Sequence, residues 1–127
     1  EVLRQRNPEI MIVAVEPERS PVLRGGRFGL SGIQGIGASF VPGVLNREIY
    51  DEVMGVKDEE AYEMTDRLTR EEGILAGISS GANVFAAVRV AEQLGAGKRV
   101  VTVIADTGER YLSVNLAGGR SRASAGS

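Results

Sequence analysis

Two short β-branched runs constrain this chain more than any other feature. Ile10 to Val15 is almost unbroken apolar sequence and contains Ile12, Val13 and Val15. Arg99 to Ala105 contains Val-Val-Thr-Val-Ile. Runs this short and this apolar, without alternation, fit strands covered on both faces, as in a parallel sheet flanked by helices. The first run ends at Glu16-Pro17 and the second leads into Asp106 to Tyr111. Those are carboxyl edges, where open α/β sheets place their ligands. A shorter strand is predicted within Tyr50 to Val56, where Ile49, Val53 and Val56 are apolar amid acidic neighbours.

Between the strands the pattern turns helical. Glu1 to Asn7 reads as the end of a helix, stopped at Asn7-Pro8 because the residue before proline is pushed out of the α region. Asp58 is placed as the N-cap of a longer helix. Glu59, Glu60 and Glu63 lie in its first turns and Arg67 and Arg70 near its end, as the helix dipole favours. Ala61, Met64 and Leu68 form its apolar face, and Gly73 ends it. The next helix runs to about Leu94. Val84, Phe85, Ala87, Val88, Ala91 and Leu94 spread over more than one face, which predicts a buried helix. The order of elements gives an α/β chain with a mostly parallel sheet, incomplete as it stands.

Three small-residue segments interrupt this pattern: Gly35-Ile36-Gly37-Ala38-Ser39, Gly77-Ile78-Ser79-Ser80-Gly81-Ala82 and Thr107-Gly108-Glu109-Arg110-Tyr111. Glycine lets backbone groups come close to a ligand. Three such sites between apolar runs predict one cleft visited three times. Each segment also has a plainer role. Gly-Ile-Gly can be a turn and is not the full dinucleotide fingerprint. Ser79 or Ser80 can be a helix cap. Glu109-Arg110 can be a surface pair, and Asp106 a loop cap. Arg19 to Gly32 has glycines, a proline and no periodicity, which predicts a loop. Residues 1–117 are read as one domain portion. Gly118 to Ser127 is Gly/Ser/Ala/Arg low complexity, too poor in apolar residues to order itself, and is expected to be a disordered tail.

The chain contains no histidine and no cysteine. Disulfides and thiolate chemistry are excluded, as is the commonest general base, and no metal site is expected. Acid–base work falls to Asp, Glu, Lys, Tyr or a cofactor. The net charge of −2 points neither to nucleic acid nor to an anionic membrane surface. No apolar run is long enough to span a bilayer, and a cytoplasmic setting is expected.

Taken together, Ile33-Gln34-Gly35-Ile36-Gly37-Ala38, Glu71 through Ala82 and Gly108-Glu109-Arg110-Tyr111-Leu112-Ser113 resemble the cysteine synthase (O-acetylserine sulfhydrylase) family. These are fold-type II pyridoxal-phosphate enzymes of the tryptophan synthase β-like group. Val13 to Pro17 also matches, so the likeness covers about residues 5 to 116. The resemblance implies a β-replacement in which O-acetylserine loses acetate and sulfide adds to give cysteine, with pyridoxal 5'-phosphate as cofactor. Carried over by position, Ser79 bonds the pyridine nitrogen of the cofactor and Gly77 forms part of its wall. Gly35 lies beside cofactor and substrate, and Ile36, Gly37 and Ala38 line the substrate. The resemblance also implies a homodimer, and a cleft that accepts the C-terminal peptide of serine acetyltransferase.

The family's Schiff-base lysine, its asparagine at the cofactor O3′ and its phosphate loop have no counterpart here. The only lysines are Lys57 and Lys98, in no matching motif. The chain is therefore read as the C-terminal part of the enzyme, inactive alone, with no catalytic residue of its own. Ser39 stands where the family usually has glycine, and Gly32 where it has a basic residue. Rival expectations are a cystathionine β-synthase-like or serine/threonine dehydratase relative, and, from another class, a non-catalytic binding module or degenerate fragment. A nucleotide-binding Rossmann domain is disfavoured, since no glycine loop joins a strand directly to a helix with an acidic residue about 20 positions on.

Overall fold

Asn7 leaves the helical region with φ −139° and closes the first helix, so the chain enters its sheet extended. In the computed structural model, which describes residues 1–111, the order is α1 (Val2–Arg6), β1 (Val13–Pro17), β2 (Glu52–Val56), α2 (Asp58–Glu72), α3 (Ile78–Leu94) and a 3-10 turn (Gly108–Tyr111). The tail from Gly118 to Ser127 lies outside the described residues.

Strands β1 and β2 pair in parallel, with Val13 opposite Glu52 and Pro17 opposite Val56. Parallel neighbours need a crossover to bring the chain back. Here it is residues 18–51, with no helix or strand in it, and it carries the first glycine segment. The carboxyl ends of the two strands stand side by side, and the Glu18 amide prolongs the ladder by donating to the Val56 carbonyl at 2.8 Å. At the opposite end, Asp51 accepts from Arg4 at 2.7 Å and from the Ile12 amide at 2.7 Å. The Arg4 guanidinium, and after it the Ile12 amide, hold the Asp51 carboxyl below its ordinary range.

The core is built from Ile33 of the crossover, Val56 of β2, Ala61 of α2, and Ile78, Ala82 and Ala86 of α3, with Val15, Ile36, Met54, Tyr62 and Phe85 packed around them. Ile33 is 1% exposed. Burying an isoleucine contributes about 2 kcal/mol, so the crossover is pinned by its own sequence just ahead of Gly35. Helices α2 and α3 approach closely where Gly81 meets Thr65 and the Ala61 carbonyl.

Several expectations need correction. Arg99 to Ala105 is not a strand: Val101 is 84% and Val103 64% exposed, because no described strand lies beside it to complete a ladder. It is held by α3 instead, through Asn83 Nδ2 donating to the Val103 carbonyl at 3.1 Å. The first strand begins at Val13 rather than Ile10 and includes Glu16 and Pro17. Asp58 is the first residue of α2 and not its cap. Lys57 precedes the helix, and its amide donates to the Glu60 carboxylate at 2.9 Å. Helix α3 is buried chiefly in its first half; beyond Ala86 Val90 alone is buried, and Val88 and Leu94 are both 40% exposed. Gly73 does end α2, in the left-handed region at φ 68°.

The crossover also hides a feature that the sequence does not announce. Glu16 is 3% exposed. Its carboxylate accepts from the Leu23 amide at 2.8 Å, the Arg24 amide at 3.2 Å and Arg24 Nε at 2.9 Å. One buried charge thus folds the loop after β1 back onto the strand end.

Candidate functional site

The three small-residue segments meet. Gly35 has φ +96°, and a Cβ built on it would stand 3.4 Å from the Ser79 hydroxyl oxygen. Gly37, at φ +81°, lies against Pro17 at the end of β1, where a Cβ would come within 2.7 Å of the proline ring. Both positions call for glycine, for conformation and for space. On the other side of Ser79, the Gly77 amide donates to the Asp106 carbonyl at 3.4 Å, and Ala76 pairs antiparallel with Thr107. The first turn of α3 is therefore flanked by the glycine segment on one side and by residues 105–108 on the other.

The entry to the glycine segment is fixed from α2. Asp58 accepts from the Gly32 amide at 2.9 Å and the Ser31 hydroxyl at 3.1 Å. The Tyr62 hydroxyl donates to the Gly32 carbonyl at 3.3 Å. Gly32, where the resemblance implies a basic residue, is thus bound to the start of α2 by its backbone. A Cβ there would approach Asp58 Oδ2 to 3.0 Å. Asp58 and Tyr62 were not singled out for the site. An acidic residue at a helix start reads as a cap, and nothing local shows that its carboxylate turns to a distant loop.

Ser79 and Ser80 are not caps. Gly77 precedes α3, and both serines lie within its first turn. They differ in their hydrogen bonds. The Ser80 hydroxyl accepts from the Ala105 amide at 3.1 Å and donates to Asp106 at 3.4 Å. The Ser79 residue is 4% exposed, yet its hydroxyl bonds to no described residue. Among the described residues no sealed side-chain polar atom lacks a partner, so this oxygen faces the opening beside Gly35. Ile36 packs partly buried on the core. Gly35, Ala38, Ser39 and Phe40 are exposed. A separate hollow of about 330 Å³ lies between Met54 and Gly55 of β2 and Phe85, Arg89 and Gln93 of α3, and involves none of these segments.

These features define a surface that can accept a flat polar ring: glycine backbone on one side, and at its edge the neutral Ser79 hydroxyl, which bonds to no described residue. Among the described residues no acidic group suited to a metal ion is present, and no helix is long and apolar enough to cross a membrane.

The profile of the pyridoxal-phosphate dependent enzymes matches residues 1–106, and the chain belongs to that family. Its fold is part of the fold-type II architecture, and pyridoxal phosphate is the family's cofactor. More particularly, the chain is 56% identical over 115 residues to a cysteine synthase of Staphylococcus aureus (strain Mu50 / ATCC 700699), a match covering 91% of this chain and 37% of that protein. The crystal structure of a cysteine synthase from Entamoeba histolytica aligns with a TM-score of 0.87 at 41% identity, over 91% of this chain and 35% of that one. An O-acetylserine dependent cystathionine beta-synthase from Helicobacter pylori aligns with a TM-score of 0.82 at 40% identity, over 87% of this chain and 36% of that one. The chain thus spans little more than a third of the length of these relatives.

The residues present fit one end of the cofactor. The Ser79 hydroxyl can donate to or accept from a pyridine nitrogen, and Gly35 leaves room for the ring beside it.

Proposed function

We propose that this chain is the C-terminal part of a cysteine synthase, which makes L-cysteine and acetate from O-acetylserine and sulfide. The observation that carries this reading is the unpaired Ser79 hydroxyl beside the bare Gly35 backbone. Pyridoxal phosphate, when bound, supplies the electron sink for loss of acetate from the substrate's β-carbon. Ser79 holds the pyridine nitrogen through a neutral hydroxyl. A carboxylate there would keep the ring protonated and favour deeper carbanion chemistry. Gly77 forms part of the cofactor wall. Gly35, Ile36, Gly37 and Ala38 offer backbone to the substrate, and the pinning of Ile33 and Gly32 keeps that backbone in place.

Neither lysine belongs to this site. Lys57 sits before α2 and lines the separate hollow, and Lys98 is exposed beyond α3. The lysine that anchors the cofactor comes from elsewhere in the complete enzyme, and the 127-residue chain alone turns over no substrate. By the same resemblance, the complete enzyme is a cytoplasmic homodimer whose cleft also accepts the C-terminal peptide of serine acetyltransferase.

The test is an assay of the complete protein with O-acetylserine and either sulfide or homocysteine. Cysteine formation with sulfide in clear preference is the expected result. Preference for homocysteine would move the protein to the cystathionine β-synthase side. Cofactor-free peptide binding without turnover would make it a binding module. Turnover by the isolated chain would overturn the assignment of the anchoring lysine to another segment.

A further inference from the structure

The first turn of a helix carries amides with no acceptor inside the helix, and it frays unless something outside holds it. Helix α3 begins after Gly77, which has no side chain to supply a cap. Ser79, whose hydroxyl must stand still to meet a ring nitrogen, lies in that turn. Its own hydroxyl bonds to no described residue that would fix it.

What holds the turn comes from residues far along the chain. Ser80 is 0% exposed, and its hydroxyl accepts from the Ala105 amide at 3.1 Å and donates to Asp106 Oδ1 at 3.4 Å. The Asp106 carboxylate lies against Gly77, in the space a Cβ there would occupy. The Gly77 amide donates to the Asp106 carbonyl at 3.4 Å, and the Gly108 amide to the Leu75 carbonyl at 3.1 Å. The start of α3 is thus clasped from Leu75 to Ser80 by residues 105–108.

We propose that Ser80 and Asp106 are positioning residues: they lock the first turn of α3 so that the Ser79 hydroxyl is held toward the opening at Gly35. This rests on the cofactor reading above. Hydrogen bonds weaken steeply once their angle is lost. A turn free to rotate would keep Ser79 buried yet lose its bond to the ring. Ser80 touches no ligand, and its effect passes through Ser79.

A double-mutant cycle in the complete protein tests this, with Ser79→Ala, Ser80→Ala and the pair, each titrated with pyridoxal phosphate and followed by the cofactor's visible absorbance. Loss of one net hydrogen bond of about 1 kcal/mol corresponds to roughly fivefold weaker binding. Each single variant is expected to bind about fivefold more weakly and to show the same change in absorbance maximum. The pair is expected to bind no more weakly than Ser79→Ala, because Ser80 has nothing left to position. Losses that multiply in the pair would overturn the proposal, as would a Ser80→Ala variant with a lower melting temperature and unchanged cofactor affinity. If Ser80→Ala does not fold, Asp106→Ala at its half-buried position runs the same cycle. Wild-type protein that binds no cofactor would defeat the cofactor reading and this one with it, whereas normal wild-type binding with additive variants defeats this one alone.

Discussion

Replacing Glu16 with alanine is expected to destabilise the fold by about 3 kcal/mol, read as a lower midpoint in urea unfolding. The carboxylate accepts two backbone amides and the Arg24 guanidinium at a site that is 3% exposed. Alanine leaves two amides without their acceptor, at about 1 kcal/mol each. Arg24 keeps Glu18 at 3.2 Å and is about a third exposed, so its loss is smaller than for a sealed charge. Glu16→Gln retains an accepting oxygen and is expected to cost about half as much. Equal stability of the alanine variant and the parent would show that the loop after β1 is held by something else.

Gly35→Val is expected to abolish cofactor binding at ordinary concentrations while leaving the chain folded. A β-branched residue at φ +96° carries about 1–3 kcal/mol of strain, and its Cβ comes 3.4 Å from the Ser79 oxygen, with two methyl groups beyond it. The methyls fill the space beside the Ser79 hydroxyl. Pyridoxal phosphate affinity should fall more than a hundredfold by absorbance titration, with a melting temperature lowered by only a few degrees. Gly43→Val is the control, because a Cβ at Gly43 meets nothing within 4 Å. Retention of cofactor by Gly35→Val would separate this segment from the ring.

How far the sequence foretold this follows from the range of each interaction. Helix α2, its stop at Gly73 and the strand ending at Val56 rest on local spacing and local sterics, and they stand where expected apart from a one-residue shift at the start of α2. The run from Arg99 to Ala105 carries every local mark of a buried strand and is not one, because a ladder needs a neighbour that no residue can supply for itself. At the site, the convergence of Gly35 with Ser79 was legible as recurring small residues. The side chains that fasten the segments were not. Asp58, Tyr62 and Asp106 each bond a residue more than twenty positions away, and Glu16 reaches across a loop with no periodicity. The difference between Ser79 and Ser80 was equally invisible, since adjacent serines look alike until one finds a partner.

The crossover between β1 and β2 has a consequence for the order in which the site assembles. Helices α2 and α3 are separated by a short turn at Gly73, so their pairing around Gly81 closes a small loop. Joining Val13 to Glu52 requires the whole excursion through Gly35 to be drawn in first. Loop-closure entropy makes such distant pairings slow relative to local ones. The helical hairpin that carries Ser79 is therefore expected to form early, with the glycine segment laid onto it later. In refolding of the whole chain from denaturant, the Ser79 hydroxyl is therefore expected to be in place before the backbone wall beside it.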